Sequence, residues 1–201
     1  MSSEQTTPDV SLPHHHAVKF YGTDESLFTT VAGFLAEGLI ARQPAIVIAT
    51  PSHREAIVKH LCGRLIDCAA AHRRGDLLLL DAEETLGLFM VDGLPDRDLF
   101  ERSVGTIVQQ TLSGRPGVIR AYGEMVDVLW KQGQIDAAVA LEILWNRLAH
   151  KHNFALLCGY AMGSFYKQSE ESDRFEQVCK QHSHVLAHDS NVLPFQNLRT
   201  A

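Results

Sequence analysis

The chain has 201 residues, enough for one domain with a full core and too few for two comfortable ones. Apolar residues make up 45% and charged residues 21%, as in an ordinary soluble globular protein, and a net charge of -6 without any Lys/Arg-rich run argues against a nucleic-acid surface. The four cysteines, at positions 62, 68, 158 and 179, form no Cys-x-x-Cys pair, no apolar signal segment opens the chain, and no apolar run approaches the roughly 18 residues of a membrane helix, so a reduced, cytoplasmic protein is expected.

In chain order, residues 1–13 are polar, carry two prolines and read as a disordered lead-in. After three histidines, residues 17–21 form a short apolar strand. Asp24 is placed to cap a helix in which Leu27, Phe28, Val31, Phe34, Leu35 and Leu39 recur at helical spacing. Residues 45–49, Ala-Ile-Val-Ile-Ala, are apolar on both faces, the pattern of a central parallel strand buried between helices. Ser52-His-Arg-Glu55 has the spacing of a capping box, which predicts a helix start directly after that strand with Ile57, Leu61 and Leu65 inward.

A short helical piece over 69–74 precedes a Leu-only strand, 77–80, that ends at Asp81. Leu86, Phe89 and Met90 suggest a helix, Gly93-Leu94-Pro95 breaks it, and Leu99, Phe100, Val104, Ile107 and Val108 define a longer one. Residues 118–130 read as a strand running into Gly123, a turn presenting Glu124, and a helix whose Met125, Leu129 and Trp130 pack back onto the sheet. A helix over 135–150 and a strand over 154–160 follow. Strands separated by helices of this length predict a mainly parallel sheet covered on both faces, a three-layer α/β/α fold.

Arg120 lies mid-strand in a segment otherwise fit for burial and needs a carboxylate. Glu124 and Asp81 are the candidates, making a shared polar crevice at the strand ends. The first strand-turn-helix stands where a phosphate loop would stand, yet Thr50-Pro-Ser-His53 lacks the glycines and the lysine that hold phosphate, and no Gly-x-x-x-x-Gly-Lys-Ser/Thr occurs in the chain. Glu124 is placed for general-base work, but no nucleophile, metal triad or cofactor loop accompanies it. Cys179, His182 and His184 resemble a metal-ligand spacing; Phe175, Val178, Cys179 and His182 equally follow the i, i+3, i+4, i+7 rule of an amphipathic helix face, and core packing without metal is expected there.

Several co-ordered blocks resemble one family. They are His16-Ala-Val-Lys-Phe20-Tyr21 with Asp24; Pro44 through Thr50-Pro51 with His53-Arg54; Leu80-Asp81-Ala82 with Phe89-Met90 and Asp92-Gly93; Arg120-Ala-Tyr122-Gly123-Glu124-Met125; Leu141-Glu142 with Trp145-Asn146; Leu157-Cys158 with Tyr160; and Cys179 with His182-Ser183-His184-Val185. Over residues 14–186 the chain resembles the MEDS domain, the methanogen/methylotroph DcmR sensory domain. The resemblance implies a RecA-like fold without a phosphate loop and a prokaryotic sensory input, with hydrocarbon derivatives proposed as ligands and output to transcription regulation or a histidine kinase. Residues 187–201 are expected to be an extension too short for an output domain, so the partner is expected to be a separate histidine kinase or transcription regulator, with a homodimer possible and neither nucleic acid nor membrane contacted directly.

The expected function is a non-catalytic sensor that needs no cofactor. Its small organic ligand is expected among Thr50, Ser52, His53, Asp81, Arg120, Tyr122, Glu124 and Tyr160, at the carboxyl edge of the sheet where turns of a parallel sheet converge. The competing readings are a degenerate nucleotide-binding protein or hydrolase using Glu124, a metal or redox sensor through Cys179, His182 and His184, and a pure interaction protein.

Overall fold

The computed structural model describes residues 16–114, 117–164 and 171–186. The lead-in and the extension expected at the two termini lie outside the described residues. The first half of the chain runs through β1 (His16–Tyr21), α1 (Asp24–Ile40), β2 (Ala45–Ala49), α2 (Pro51–Gly63), α3 (Cys68–Arg73), β3 (Leu77–Asp81) and α4 (Ala82–Gly87). A small hairpin, β4 (Met90–Val91) and β5 (Leu94–Pro95), leads into α5 (Arg97–Phe100), a π-helical turn (Glu101–Gly105) and α6 (Thr106–Leu112). The second half consists of β6 (Ile119–Gly123), α7 (Met125–Lys131), α8 (Ile135–Lys151), β7 (Phe154–Ala161), α9 (Glu171–Lys180) and β8 (His184–Leu186).

Six strands form one parallel sheet in the order β3-β2-β6-β7-β1-β8. The alternation of β2 shows why both faces must be covered. Ile46 and Ile48 enter one core, while Ala45, Val47 and Ala49 enter the other. Helices α1, α2 and α3 cover the second of these faces through Leu27, Val31, Leu35, Ile57, Leu61 and Ala71. Helices α4 to α9 cover the first, where Trp145 meets Phe100 edge-on at 5.3 Å and Phe175 of α9 packs on Phe20 at 4.7 Å. The three-layer α/β/α architecture expected from the strand and helix spacing is the one observed.

Local differences have local causes. The helix expected around Leu86 to Met90 starts and ends earlier, as α4, because Asp81 caps it by accepting from the Glu83 and Glu84 amides at 2.9 and 3.0 Å. Asp92 and Gly93, both at positive φ, then make the two-residue turn that Asp-Gly favours in a hairpin. Thr23, not Asp24, is the N-cap of α1, its side chain accepting from the Ser26 amide. Helix α2 begins at Pro51 with Thr50 as N-cap, so the Ser52 capping box does not form. Strand β8, three exposed residues beside β1, has too short and too polar an approach to be read from the sequence.

Gly159 has no side chain where Tyr122 of the neighbouring strand lies. A Cβ there would meet the Tyr122 hydroxyl at 2.9 Å and Leu27 at 3.2 Å, both fixed in the core. At Gly38 the close neighbour is instead the Arg120 side chain, at 2.8 Å, which can move. Gly159→Ala is expected to cost roughly 1–3 kcal/mol by overpacking, whereas Gly38→Ala should stay within about 1 kcal/mol of the parent because its helix-propensity gain offsets the shift of one flexible arm. Urea titrations of both variants check this; equal losses would show that the Tyr122 packing is not tight.

Candidate functional site

The sheet has a switch point at its centre. The chain leaves β2 into α2 on one face and leaves neighbouring β6 into α7 on the other, which opens a crevice at their carboxyl ends, the usual place for ligands in such sheets. Glu124 stands in it at the end of β6, only 2% exposed. Its amide donates to the Ile48 carbonyl at 2.9 Å, fixing the turn against β2. Its carboxylate reaches across: Oε2 accepts from the Thr50 amide at 3.0 Å and from the Thr50 hydroxyl at 3.2 Å, and Oε1 lies 2.8 Å from His53 Nδ1, off the line of a well-formed hydrogen bond. Thr50 therefore spends its hydroxyl on Glu124 rather than on capping α2.

His53 lies mostly buried, edge-on against Phe28 at 5.0 Å, with Asp24 of α1 4.0 Å from its Nε2. Its pKa is raised from the usual 6.5, first by interaction with the Glu124 side chain and further by the charges of Glu124 and Asp24, with burial and Lys131 pulling the other way. One turn into α7, Asp127 is wholly buried and binds two more strand ends. Its Oδ1 accepts from the Ala161 amide at 3.0 Å, and its Oδ2 accepts from the Tyr21 hydroxyl at 3.0 Å and pairs with Lys131 at 2.7 Å. Burial first, then Asp127, keeps the Tyr21 hydroxyl protonated far above its ordinary range.

The eight residues expected to line one crevice do not all meet there. Thr50, His53 and Glu124 do, and Ser52 lies beside them in the first turn of α2. Asp81 closes the β3 turn and pairs with Arg54 at 3.3 Å. Arg120 is held by neither Asp81 nor Glu124: its Nη1 donates to Glu37 at 2.9 Å and to the Phe34 carbonyl at 3.1 Å. It sits opposite Ala45, the first residue of β2, so three strand steps of about 3.3 Å separate it from the strand end at Gly123, before the turn at Glu124. Tyr122 and Tyr160 face opposite cores, because Tyr122 is in register with Leu157 and the next residue but two along β7 points the other way. Tyr122 is sealed, its hydroxyl without a hydrogen-bond partner among the described residues, and Tyr160 donates to Glu142 at 2.9 Å on the α8 face.

Tyr21, Asp127 and Lys131 were not among the expected residues. The signal for Asp127 was present: a carboxylate in the apolar run Met-Val-Asp-Val-Leu-Trp must have buried partners. A second polar nucleus lies under α8, where Glu142 and Cys158 are buried with His16 and with His182. Burial works to raise the Glu142 pKa, but His182 and His16 outweigh it and hold the carboxyl below its usual range. Of the three residues with metal-like spacing, only His182 reaches this nucleus. Cys179 packs on the core edge and exposed His184 bonds Ser183.

Fold and site together define a three-layer α/β/α domain with buried carboxylates binding its turns at a switch point and no phosphate loop in its sequence. The chain belongs to the MEDS family: the family model "MEthanogen/methylotroph, DcmR Sensory domain" matches residues 15–182. The role is accordingly sensory or signalling, which implies a signalling partner. A comparison with curated proteins found no match. Among the described residues no helix is long and apolar enough to cross a membrane.

Because its folded pKa is raised, protonated His53 contributes stability that is complete below about 6.5 and lost as the pH rises through the higher folded value. An NMR titration of the His53 ring is expected to give a midpoint above 6.5 that falls in Glu124→Gln. A midpoint unmoved by that substitution would show that the carboxylate does not govern the ring.

Proposed function

We propose that this domain is a non-catalytic sensor whose small organic ligand enters the crevice between the β2 and β6 turns and competes for Glu124. The observation that carries the reading is the buried Glu124 carboxylate joining two turns whose helices lie on opposite faces of the sheet. A ligand group that donates hydrogen bonds, an alcohol or an amine, satisfies Glu124 in place of Thr50 and His53. The edge-on pair of Phe28 and His53 supplies an apolar wall for the rest of the molecule. Releasing the start of α2 from α7 then changes the surface offered to a separate partner, a histidine kinase or a transcription regulator.

The domain is read as a relative of the RecA-like ATPases that has kept the layout and lost the phosphate grip. Glu124 is held by the Thr50 amide and hydroxyl on Oε2 and by His53 on Oε1, so both carboxylate oxygens are engaged by the turn itself. Incubation with ATP is expected to release no phosphate above background. Protein-dependent release abolished by Glu124→Gln would overturn the non-catalytic reading.

A thermal-shift screen of small alcohols, amines, organic acids and halogenated compounds tests the site. A ligand at about a hundred times its Kd stabilises by roughly 2.7 kcal/mol, well within reach of the method. The stabilisation is expected to vanish in Glu124→Gln and to weaken in His53→Ala. A hit that stabilises both variants as it stabilises the parent would place the ligand elsewhere.

A further inference from the structure

The buried nucleus under α8 is built from four elements distant in sequence, on the face of the sheet opposite α1 and α2. His16 opens β1, Cys158 lies in β7, Glu142 is on the inner side of α8, and His182 follows α9. One donor atom from each of the four falls within 4.8 Å of every other. His16 Nε2 is 3.2 Å from Glu142 Oε2 and 3.4 Å from Cys158 Sγ, Cys158 Sγ is 3.5 Å from Glu142 Oε2, and His182 Nε2 is 3.4 Å from Glu142 Oε1.

The hydrogen bonds around the two imidazoles fix which nitrogen faces inward. His182 Nδ1 lies 2.7 Å from the Val178 carbonyl, which can only accept, so Nδ1 carries a proton. Asn146 uses its amide nitrogen to donate to the Gln181 carbonyl at 2.9 Å, which turns its oxygen toward His16 Nδ1, also at 2.9 Å. With both Nδ1 atoms bonded outward, both Nε2 atoms turn to the Glu142 carboxylate: a protonated ring pairs with it, and a neutral ring directs a lone pair into the same enclosed space. His182 Nε2 is a buried atom with no hydrogen-bond partner among the described residues. Ser183 holds this loop to the start of β1 through a 2.8 Å bond from its amide to the His16 carbonyl, which brings the backbones that carry the two rings together.

We infer that His16, Glu142, Cys158 and His182 form a closed binding site for a divalent transition-metal ion, zinc by its mixed nitrogen, oxygen and sulfur donors. Bond lengths of about 2.0–2.3 Å to such ligands put the edges of a tetrahedron at roughly 3.3–3.6 Å, and the three contacts among His16 Nε2, Glu142 Oε2 and Cys158 Sγ match these within a few tenths of an ångström, while His182 Nε2 stands against the other oxygen, Oε1. The widest pair is within 4.8 Å, so closing the last corner takes a movement of roughly 1 Å. Binding expels the Cys158 proton, together with any proton carried on the two Nε2 atoms, to solvent, and thiolate plus carboxylate then neutralise the ion, which suits a dry site. Both histidines already have the outer hydrogen bonds that orient a metal-binding imidazole. With four protein donors and no open position the ion is structural: it fastens the α9 loop and β1 to α8. This site is independent of the Glu124 crevice and of the Cys179/His184 spacing.

The full chain, reduced and stripped with chelator, is titrated with Zn²⁺ and separately with Co²⁺. One retained equivalent of zinc, a raised Tm, and a cobalt spectrum with tetrahedral ligand-field bands and a thiolate-to-cobalt charge-transfer band are expected. Cys158→Ser should lose the charge-transfer band, His182→Gln should bind at least tenfold more weakly, and Asn146→Ala should lose about 10–100-fold through the freed His16 ring. Should these variants fail to fold, Cys62→Ser/Cys68→Ser/Cys179→Ser, which leaves Cys158 the sole thiol, must still show the band. His14→Ala/His15→Ala and His184→Ala should bind as the parent does. Absence of the charge-transfer band in the folded parent, its loss in the triple variant, or binding unchanged by both Cys158→Ser and His182→Gln would overturn the proposal.

Discussion

A parallel sheet buried on both faces tolerates a carboxylate only where every oxygen finds a donor or a cation, and that constraint organises this molecule. Glu124, Asp127 and Glu142 are all sealed from solvent, and each makes at least one link between elements distant in the chain. Glu124 binds the β6 turn to the β2 turn. Asp127 gathers the ends of β1 and β7 around α7, and Glu142 draws α8 onto β1 and β7. Removing one partner of such a group leaves an uncompensated charge, at a typical cost of about 3–5 kcal/mol, so these contacts fix geometry more firmly than surface pairs do. The pair of Arg120 with Glu37 belongs to the weaker class, since the carboxylate side is largely exposed.

Legibility in the sequence followed the range of the physics. Local patterns were readable: Ala-Ile-Val-Ile-Ala at β2 and the apolar stripes of α1 and α8 depend on near neighbours alone, and they placed those elements. Properties set by strand register were not. Whether Tyr160 shares a face with Tyr122 depends on the pairing of β6 with β7, which no spacing within either strand states. The expected pairing of Arg120 with Glu124 or Asp81 fails for a related reason, because its level in the sheet follows from its register with Ala45 at the start of β2. The four-residue nucleus of His16, Glu142, Cys158 and His182 is wholly non-local, whereas the compact Cys179/His182/His184 spacing drew attention to residues that a helix and an edge strand point apart.

The two polar centres make different demands on the fold. The Glu124 crevice lies where α2 and α7 diverge, and one of its members, His53, keeps 13% of its side-chain surface exposed, so its contacts can be reached by solvent or solute. The nucleus around Glu142 lies under α8 with its donor side chains enclosed. One suits exchange and the other suits permanence, a division of labour within a single domain.

The strand order also bears on how the chain is made. Strands β6 and β7 occupy the middle of the sheet, yet they are synthesised after β1, β2 and β3, which flank them. Until residues 119–161 have emerged, β2 and β3 can pair only with each other and β1 has no neighbour to dock on. The nascent chain must therefore carry α1 and its apolar stripe without a completed sheet beneath it, and folding waits on contacts between distant segments, which is the slow and aggregation-exposed regime. The sheet closes at its centre, and the late strands β6 and β7 are the ones that join the β2–β3 pair to β1 in one domain.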